Sequence, residues 1–443
     1  MFNQIIILSG KLLSFITKKL NLGHGSTWPV HIALLLNKNF IKDVLGRNKM
    51  KIVIVAGTNG KTTTSKLLTT ILKSKGDRVL HNSSGANLLN GIASILLLNS
   101  DRFSNLNYDY GIFEVDENVL PLALQEITPD YLIILNLFRD QLDRYGEVNI
   151  IADKWRKAIK KLTEKTNLIL NADDPQVAFL GKIVKIKTDY FSCSDVSIHG
   201  NAKLTEHAVD SAYCPNCGSK LNYKSITFSH LGDWYCKKCD LKRPIKSFSA
   251  SPHYPLPGLY NKYNTNATVL FTQIENIHQD IVKKALLNFK PAFGRQETLI
   301  INGKKIKIFL SKNPTGFNES LRTVKDLGGK NILFVLNDRI PDGRDVSWIW
   351  DTDIENILEG NENIIVSGDR VYDIALRIKY GVQNQKSKIK NQKYNSKFKI
   401  IENLKDAVSE SLELLDKNEA LYIIPTYSAM LEVRKILTGK KIL

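Results

Sequence analysis

A loop that binds phosphate is indicated by seven consecutive residues, Gly57-Thr58-Asn59-Gly60-Lys61-Thr62-Thr63. Glycines allow backbone N–H groups to approach phosphate oxygens, and the lysine after the second glycine can reach the terminal phosphates. Thr62 is placed to offer its hydroxyl to Mg²⁺. The general pattern also has a glycine five residues before Gly60, where this chain has Val55. A tight turn in a protein core would not explain the lysine, so these residues predict a nucleotide site.

The segments on either side of the loop predict the elements that would position it. Ile52–Ala56 is a short apolar run rich in β-branched residues, which is typical of a buried parallel strand. After the loop, Leu67, Leu68, Ile71 and Leu72 recur at helical spacing. A strand, a glycine turn and a helix in this order would direct the positive end of the helix at a phosphate.

A metal site is indicated by two Cys-x-x-Cys pairs, Cys214 with Cys217 and Cys236 with Cys239, which are separated by 18 residues. Four thiolates at this spacing suit tetrahedral zinc in a zinc ribbon. Two independent redox dithiols are the alternative. Cys193 stands apart and is interpreted as an ordinary small residue. Five cysteines in this pattern argue against a disulfide framework and for a reducing compartment, and no open ligand position is apparent, so the zinc would be structural.

Length and charge leave several classes of partner open. The chain has 443 residues, which is enough for two or three domains with their own cores. Lys and Arg exceed Asp and Glu by 62 to 44, a surplus of +18. Nucleic acid, an anionic membrane or a phosphorylated substrate would suit this charge, and so would a solvated lysine-rich surface. Residues 1–20 predict an amphipathic helix that either packs on the first domain or rests on a membrane.

From Lys51 onward strands and helices alternate, which predicts a mainly parallel α/β sheet. The predicted strands are Ile52–Ala56, Arg78–Leu80, Tyr110–Val115, Tyr131–Asn136 and Asn167–Leu170. A helix is predicted over Lys154–Leu162. Turn residues follow several strands, at 84–87, at Asn136 and at 171–175. Ligands collect at the carboxyl ends of parallel strands, so these turns should surround the phosphate loop.

A second α/β unit is predicted after the cysteines. A helix ending near Ile274 and another over Gln279–Leu287 precede it. Its predicted strands are Lys305–Leu310, Ile332–Leu336, Ile364–Val366 and Leu421–Ile424, and its predicted helices are Ser320–Leu327, Tyr372–Lys379, Leu404–Leu415 and Ser428–Leu437. Residues 384–397 predict a solvated loop. The predicted organisation is a helical lead-in at 1–45 with a turn at 23–29, a central domain at 46–297 with the ribbon at about 205–248, and a C-terminal domain at 298–443.

Several of these segments together resemble the Mur ligases. Residues 57–64, GTNGKTTT, resemble the ATP loop of that family, which also lacks the upstream glycine. Glu114 matches the acid that binds Mg²⁺ there. Residues 136–146 are similar to the "DHLD" region, with Gln141 where the family carries a histidine near a second metal. The resemblance implies that Asn261 and Asn264 hold adenine and that Arg295 contacts the nucleotide phosphates.

Within the Mur ligases the chain is most similar to the MurT branch. About fifty residues precede the ATP loop, a four-cysteine ribbon interrupts the central domain, and residues 312–318 and 342–351 are similar to MurT signatures. The fold that this implies is a Mur ligase-like P-loop domain with a parallel sheet and an inserted zinc ribbon, followed by a C-terminal Rossmann-like α/β domain that contacts a glutaminase.

The resemblance also implies a reaction. Using ATP and Mg²⁺, the enzyme would convert the α-carboxyl of D-glutamate in the lipid II stem peptide to an acyl phosphate, which ammonia attacks to give D-isoglutamine. A GatD-type glutaminase subunit would deliver the ammonia at the inner face of a bacterial membrane, and Asp345 would complete its catalytic triad in trans. Asp345 could instead cap the turn after it, and Asp342 and Asp351 are the other candidates. Asn87 would bind substrate or simply form a turn.

Two other functions fit parts of the pattern. A folylpolyglutamate synthase has a similar ATP loop near residue 50, but it carries no zinc ribbon. A nucleic-acid-dependent ATPase would use the basic surface and the ribbon to bind a strand. The basic runs lack interleaved aromatic residues and helicase-type motifs are not apparent, so we expect no nucleic-acid partner.

Overall fold

The computed structural model describes residues 2–19, 27–82, 87–140, 147–193, 203–248, 251–358, 362–388, 397–416 and 418–440. Three helices come first: α1 (Phe2–Lys19), α2 (Thr27–Leu36) and α3 (Phe40–Gly46). They pack on the central domain through apolar side chains such as Ile7 and Phe40, which are fully buried. The predicted helical lead-in is therefore present as a packed layer.

The central sheet is parallel throughout the described ranges. Its strands are β1 (Lys51–Ala56), β2 (Val79–His81), β3 (Tyr110–Val115), β4 (Tyr131–Ile134), β5 (Asn167–Asn171) and β6 (Thr188–Phe191). They lie side by side in the order β2-β3-β1-β4-β5-β6. Because β2 and β3 lie on one side of β1 and β4, β5 and β6 on the other, a crevice opens at the carboxyl end of β1.

Helices cover the two faces of this sheet: α4 (Lys61–Lys75), α5 (Leu89–Asn99), α6 (Leu120–Glu126), α7 (Val148–Ile159), α8 (Pro175–Leu180), α9 (Leu259–Ile274) and α10 (Gln279–Leu287). One face packs against Leu96 of α5 and Trp155 of α7. The other packs against Leu68 of α4 and Phe271 of α9. These two cores fix the positions of the loops that follow β1, β3 and β4.

The cysteine segment forms a small unit on the central domain. It contains an antiparallel hairpin of β7 (Asn222–Phe228) and β8 (Leu231–Tyr235). Trp234 Nε1 donates a hydrogen bond to the carbonyl oxygen of Ala172 at 3.0 Å, and Gly232 N donates to the carbonyl oxygen of Asp173 at 3.1 Å. The hairpin is thereby attached to the loop after β5.

The C-terminal sheet has the order β13-β12-β11-β14-β10-β9 in the described ranges, and β9 alone of these strands runs antiparallel to its neighbour. Its strands are β9 (Arg295–Ile301), β10 (Lys304–Phe309), β11 (Asn331–Val335), β12 (Asn363–Ser367), β13 (Lys397–Ile400) and β14 (Ala420–Pro425). Its helices are α11 (Pro314–Asp326), α12 (Ile354–Ile357), α13 (Val371–Lys388), α14 (Leu404–Glu413) and α15 (Tyr427–Thr438), with a 3₁₀ helix at Ser347–Asp351.

The alternation of strands and helices is confirmed, but several element limits were wrong. Helix α7 begins at Val148, because Val148, Ile151 and Trp155 already form its buried face. Helix α11 begins at Pro314 rather than Ser320, because Asn313 Oδ1 accepts the Gly316 N–H at 2.8 Å and caps it.

Other differences lie in segments predicted as loops or left unassigned. Helix α13 continues to Lys388 and β13 begins at Lys397, so the ends of the predicted loop at 384–397 are ordered. Gln and Lys are good helix formers, which allows the helix to extend into that segment. Residues 27–29 of the predicted turn at 23–29 begin α2, and residues 20–26 lie outside the described ranges. Strand β9 was not predicted, and it begins before the predicted domain limit at 298.

Candidate active site

The phosphate loop joins β1 to α4 at the crevice of the central sheet. Gly57 and Gly60 have φ angles of +134° and +94°, which favour glycine. A Cβ at Gly60 would lie 2.0 Å from Asn264 Oδ1, so this position also requires glycine for the close approach of α9. The backbone N–H groups at the start of α4 are thereby presented to the crevice, as anion binding requires.

Asparagine side chains hold the loop in place from two directions. Asn59 N donates to Asn136 Oδ1 at 2.8 Å, and Asn136 Nδ2 donates to the carbonyl oxygen of Asn59 at 3.0 Å. Asn313 Nδ2, from the C-terminal domain, donates to Asn59 Oδ1 at 3.0 Å. The loop is therefore fixed between the turn after β4 and the start of α11.

Lys61 is buried at the base of the loop. Its Nζ donates to the carbonyl oxygen of Thr58 at 3.1 Å and forms an ion pair with Glu117 Oε2 at 3.0 Å. The Lys61 and Glu117 side chains are 8% and 0% exposed, so the pair is shielded from water. A phosphate in the loop would compete with Glu117 for this ammonium group.

Thr62 and Glu114 form a second polar pair beside the loop. Thr62 Oγ1 donates to Glu114 Oε2 at 2.9 Å, and His81 Nε2 lies 3.0 Å from Glu114 Oε1. Asn82 Nδ2 donates to the Glu114 carbonyl oxygen and Asn82 Oδ1 accepts the Glu114 N–H. A hydroxyl and a carboxylate next to a phosphate site suit Mg²⁺, which binds through a few protein oxygens and phosphate. His81 orients the Glu114 carboxylate through this contact.

Three carboxylates and two lysines meet in the crevice. Asp116 and Glu117 are 3% and 0% exposed, so both carboxylates are shielded from solvent. Lys312 Nζ of the C-terminal domain forms an ion pair with Asp140 Oδ2. The Asp140 Oδ1 atom is buried and has no hydrogen-bond partner among the described residues. Two domains thus contribute opposite charges to one buried cluster.

The pKa values in this cluster reflect burial and the two lysines. Burial raises the pKa of Asp116, and the nearby Glu117 adds to this. Burial raises the pKa of Asp140 to about 6 against the opposing effect of Lys312. For Glu117 burial is outweighed by Lys61 and Lys312, which bring its pKa below the ordinary value.

The crevice continues into a cleft between the central and C-terminal domains. Its empty volume is about 740 Å³, including space open to solvent. Asn261, Asn264 and Arg295, the predicted nucleotide residues, all line it together with the phosphate loop. Asn264 Nδ2 donates to Asn261 Oδ1 at 3.2 Å. Burial lowers the pKa of Arg295, and Glu114 partly offsets that effect.

The four cysteines of the ribbon converge at one point. Their sulfur atoms all lie within 4.8 Å of one another. Cys214 Sγ lies 3.6 Å from Cys239 Sγ, and Cys217 Sγ lies 3.5 Å from Cys236 Sγ. Disulfide sulfurs would be about 2.05 Å apart, whereas thiolates about 2.3 Å from a tetrahedral zinc would be about 3.8 Å apart. The donor set and spacing therefore fit zinc.

Asp345 lies on the surface of the C-terminal domain. Its Oδ1 accepts the Ser347 N–H at 2.8 Å, which stabilises the turn before the 3₁₀ helix, but the N-cap position of that helix is Val346 rather than Asp345, so the alternative interpretation was wrong about the cap. The same exposed carboxylate borders a cavity that Asp140 and Lys312 also line. Accepting one N–H leaves the other carboxylate oxygen available to a partner.

The two other aspartates considered for that role are paired with other residues of this chain. Asp342 is 3% exposed and accepts hydrogen bonds from the Ser428 N–H and hydroxyl. Asp351 Oδ2 lies 2.7 Å from Arg139 Nη1, and Arg139 also pairs with Asp210 of the ribbon segment. Asp342 is therefore too buried to reach a second chain.

Asn87 lies at the edge of the acidic cluster. Its carbonyl oxygen accepts the Asp116 N–H at 3.0 Å, and its Nδ2 lies 3.5 Å from Asp116 Oδ2. Its side chain is thus next to the crevice. Residues 84–86 of the same turn and Gln141 lie outside the described ranges.

The N-terminal layer has an apolar surface. Ile5, Leu8, Leu12 and Phe15 of α1 are 56–63% exposed and recur every three to four residues, so they form one face, here called the α1 stripe. Leu35 of α2 is 80% exposed. Within the described ranges no helix combines the length and hydropathy of a membrane span.

Some residues of the site were not identified from the sequence. The turn at Asn136 was expected beside the phosphate loop and is found there, whereas no pattern indicated that Lys312 would contact Asp140. Phe228 and Leu231 of the ribbon hairpin line the cleft. An apolar residue at a hairpin turn has no sequence signal for such a role, because its neighbour in space is far away in the chain.

Comparisons of the chain with family models and with known proteins agree on one family. The chain matches the Mur ligase middle domain over residues 55–272 and the MurT ligase C-terminal domain over residues 310–430. It is 33% identical over 373 residues to the lipid II isoglutaminyl synthase (glutamine-hydrolyzing) subunit MurT of Staphylococcus aureus strain COL, with 80% of this chain and 83% of that one covered. The corresponding subunit of Streptococcus pneumoniae R6 is 32% identical, with coverage of 98% and 97%.

The fold is shared with a solved Mur ligase. MurF from Thermotoga maritima, solved in complex with ADP, aligns with a TM-score of 0.60 at 15% identity, covering 91% of this chain and 83% of that one. At this identity the likeness shows the fold.

Proposed function

The chain belongs to the MurT family of Mur ligases, and we propose that it amidates the α-carboxyl of D-glutamate in the lipid II stem peptide at the expense of ATP. The observation that carries this proposal is the meeting of the phosphate loop, the Thr62–Glu114 pair and Lys312 of the C-terminal domain in one crevice. Such a site can hold a triphosphate and a carboxylate side by side.

Residues of the central domain would bind the nucleotide. The N–H groups of Gly57–Thr63 and the Lys61 ammonium would hold the phosphates, and Asn261, Asn264 and Arg295 would contact the rest of the nucleotide. Thr62 and Glu114 would hold Mg²⁺, which neutralises phosphate charge when bound. Before ATP arrives, Glu117 occupies Lys61, so binding would exchange this carboxylate for phosphate oxygens.

The reaction would proceed through an acyl phosphate. A carboxylate oxygen of D-glutamate attacks the γ-phosphorus, and ADP leaves. Ammonia then attacks the carbonyl carbon, phosphate leaves and the nitrogen loses one proton, which gives the amide. Lys61, Arg295 and Lys312 supply positive charge around the transferring group, so their contribution is positioning and charge stabilisation. Asn87, beside Asp116, would orient the stem peptide.

Ammonia would come from a second subunit of the GatD type. Ammonia is mostly protonated at neutral pH, so its direct release beside the acyl phosphate favours the reaction. Asp345 is exposed and borders the cavity that reaches Asp140 and Lys312. In the proposed complex it orients the catalytic histidine of the partner, and ammonia enters through this cavity.

The α1 stripe would bind the inner face of the bacterial membrane, where the enzyme would reach its lipid-linked substrate. Residues 1–42 contain five lysines and no acidic residue, so the charge around the stripe suits anionic lipids. Helix α1 packs closely on α5, where a Cβ at Gly10 would lie 2.6 Å from Leu97 Cδ1. Helix α5 begins two residues after Asn87, which connects the stripe to the proposed stem-peptide site.

The four-cysteine ribbon would carry a structural zinc ion. Its role in the proposal is to shape the hairpin that docks on the central domain, because four thiolates leave no open coordination position.

Purification with the glutaminase subunit and mass spectrometry of lipid II tests this function. We expect lipid II incubated with ATP, Mg²⁺ and glutamine to show the small mass decrease of an acid converted to an amide. Fragmentation should place the amide on the D-glutamate α-carboxyl. ATP consumption without any change in lipid II, with the partner present, would contradict the proposal.

A further inference from the structure

One end of the cleft is aromatic and is built jointly by the central domain and the ribbon. Phe138 and Tyr263 come from the central domain, and Phe228 and Leu231 come from the two ends of the β7–β8 turn. Phe228 and Leu231 are 3% and 1% exposed. The ribbon hairpin therefore contributes an inner surface of the cleft rather than only its outer rim.

The orientation of Phe228 is set by its aromatic neighbours. Its ring stacks on Phe138 with centroids 6.2 Å apart and an interplanar angle of 22°. It meets Tyr263 edge to face at 5.8 Å. Tyr263 is itself fixed, because its hydroxyl donates to Asp173 Oδ2 at 2.7 Å. Such a set of rings forms a rigid apolar wall.

The hairpin turn that carries these residues is held tightly. Ser229 has a φ of +48°, and its N–H donates to Glu206 Oε1 at 3.0 Å. Its hydroxyl donates to the carbonyl oxygen of Ala208. The turn is thus connected to the chain that enters the ribbon.

The other end of the hairpin runs directly into the cysteine cluster. Cys236 follows the last residue of β8, and its N–H donates to the Leu241 carbonyl oxygen at 2.8 Å. Tyr223 of β7 pairs with Trp234 of β8 and is 3% exposed. The positions of Phe228 and Leu231 therefore depend on strands whose base is tied by the four sulfur atoms.

The same cleft also has polar lining. Gly60, Thr62 and Thr63 of the phosphate loop and Asn261 and Asn264 contribute to it. The aromatic wall lies close to the loop, because Thr58 Oγ1 donates to the Phe138 carbonyl oxygen at 3.1 Å and accepts the Phe138 N–H at 3.0 Å. A nucleoside triphosphate with its phosphates on the loop would place its base against Phe228. A flat aromatic base gains stacking and burial there.

We propose that Phe228 and Leu231 of the zinc ribbon form the wall on which the nucleotide base packs, so that the ribbon metal sets the affinity for ATP. This inference rests on the proposed function, since it takes the cleft to be the ATP site. The ribbon then acts on catalysis by positioning a nucleotide-binding surface.

Direct binding measurements on the full-length, zinc-loaded protein test the inference. ATP and inorganic tripolyphosphate, each with Mg²⁺, serve as probes in isothermal titration calorimetry. Phe228→Ala should weaken ATP binding about tenfold, because stacking of a base on an aromatic side chain contributes roughly this much. Tripolyphosphate binding should be unchanged, because that probe has no base. Tyr213→Ala, which removes a ribbon aromatic that is 62% exposed and outside the cleft, is the matched control.

Removing the metal should reproduce the selective loss. Chelation of zinc, or Cys236→Ser, is expected to weaken ATP binding more than tripolyphosphate binding. Equal ATP affinities for wild type and Phe228→Ala would overturn the inference, as would an equal loss for the two probes. If wild type bound neither probe, the proposed function itself would fail.

A measurement on wild type avoids the risk that Phe228→Ala is misfolded. Hydrogen exchange of the hairpin amides at 222–235 should slow with ATP and stay unchanged with tripolyphosphate. Unchanged exchange with both probes at saturation would contradict contact between the base and the hairpin. Leu231→Ala should give a smaller, equally selective loss of ATP affinity.

Discussion

Replacing Gly60 with alanine should weaken ATP binding while the fold remains intact. A Cβ at this position would lie 2.0 Å from Asn264 Oδ1 and 2.9 Å from Asn264 Cγ. The φ of +94° would in addition strain any residue with a side chain. The substitution therefore acts on two predicted nucleotide-binding elements at once, the loop and the start of α9.

The size of the effect follows from these two terms. The left-handed backbone costs an alanine about 1–2 kcal/mol. Ordinary contacts are about 3.5 Å, so the Asn264 amide must move by roughly 1.5 Å. That shift would break its hydrogen bond to Asn261 Oδ1, at a cost of about 1 kcal/mol. Together these terms reach about 2–3 kcal/mol. Because ATP binds the undistorted loop geometry, we expect ATP affinity to fall by roughly thirtyfold to a little over a hundredfold.

Calorimetric ATP titration and thermal denaturation, with Gly76→Ala as control, measure this effect. Gly76 ends the same helix α4 and has a φ of +103°, but no described atom lies within 4 Å of a Cβ there. The control isolates backbone strain from the clash with Asn264. A double-mutant cycle with Asn264→Ala should show strong non-additivity, because the second change removes the clashing atom. Additive losses, or equal ATP affinities for the Gly60 and Gly76 variants, would refute the reasoning.

Four further predictions address other parts of the protein. Glu114→Gln should remove most of the Mg²⁺-dependent gain in ATP affinity, measured by titration with and without the metal. Asp345→Asn should abolish glutamine-dependent amidation in the complex, while ATP binding and amidation from ammonium salts persist. Phe15→Glu should abolish sedimentation with anionic vesicles, because burying one Phe contributes about 1.5–3 kcal/mol. Burial raises the pKa of Glu319 to about 7 despite Arg322, from an ordinary value of 4.5. Relative to Glu319→Gln, wild type should therefore lose up to about 3 kcal/mol of unfolding free energy as the pH rises from 4.5 through 7.

Controls separate these effects from general damage. Asp351→Asn removes an aspartate of the same segment that pairs with Arg139, and glutamine-dependent amidation should persist in it. Ile245→Glu places a charge at a ribbon residue that is 89% exposed and away from α1, and vesicle binding should persist. Full amidation by Asp345→Asn would remove this residue from the partner's triad. A stability difference between wild type and Glu319→Gln that stays constant from pH 4 to 8 would contradict the buried carboxyl.

The sequence predicted the parts of the fold that local patterns determine. β3 (Tyr110–Val115) and α10 (Gln279–Leu287) have the predicted limits, because their apolar spacing and flanking turns leave little choice. The phosphate loop was placed correctly between a strand and a helix for the same reason. The start of α11 was missed although its signal was present, since Asn313 followed by Pro314 is a typical helix beginning.

Contacts between segments far apart in the chain could not be predicted. Lys312 meets Asp140 across 172 positions, and Asn313 meets Asn59 across 254. From the local sequence alone, Lys312 indicates no more than a solvated residue, and Asn313 no more than a helix cap. The aromatic wall could not be predicted for the same reason, because Phe228 contacts Phe138 only through the docking of an inserted hairpin.

The ion pairs of the crevice explain how its positive charge is neutralised by carboxylates of the protein itself. Lys61 pairs with Glu117 and Lys312 pairs with Asp140, so each ammonium group has a carboxylate partner within the protein. Leaving the buried Lys61 unpaired would cost several kcal/mol. An incoming triphosphate can replace these carboxylates only if the released acids find protons or cations. Burial already raises the pKa of Asp140 and Asp116, which lowers the cost of protonating them. Exchange of partners, rather than the opening of an empty positive pocket, is therefore the step by which the site would accept ATP.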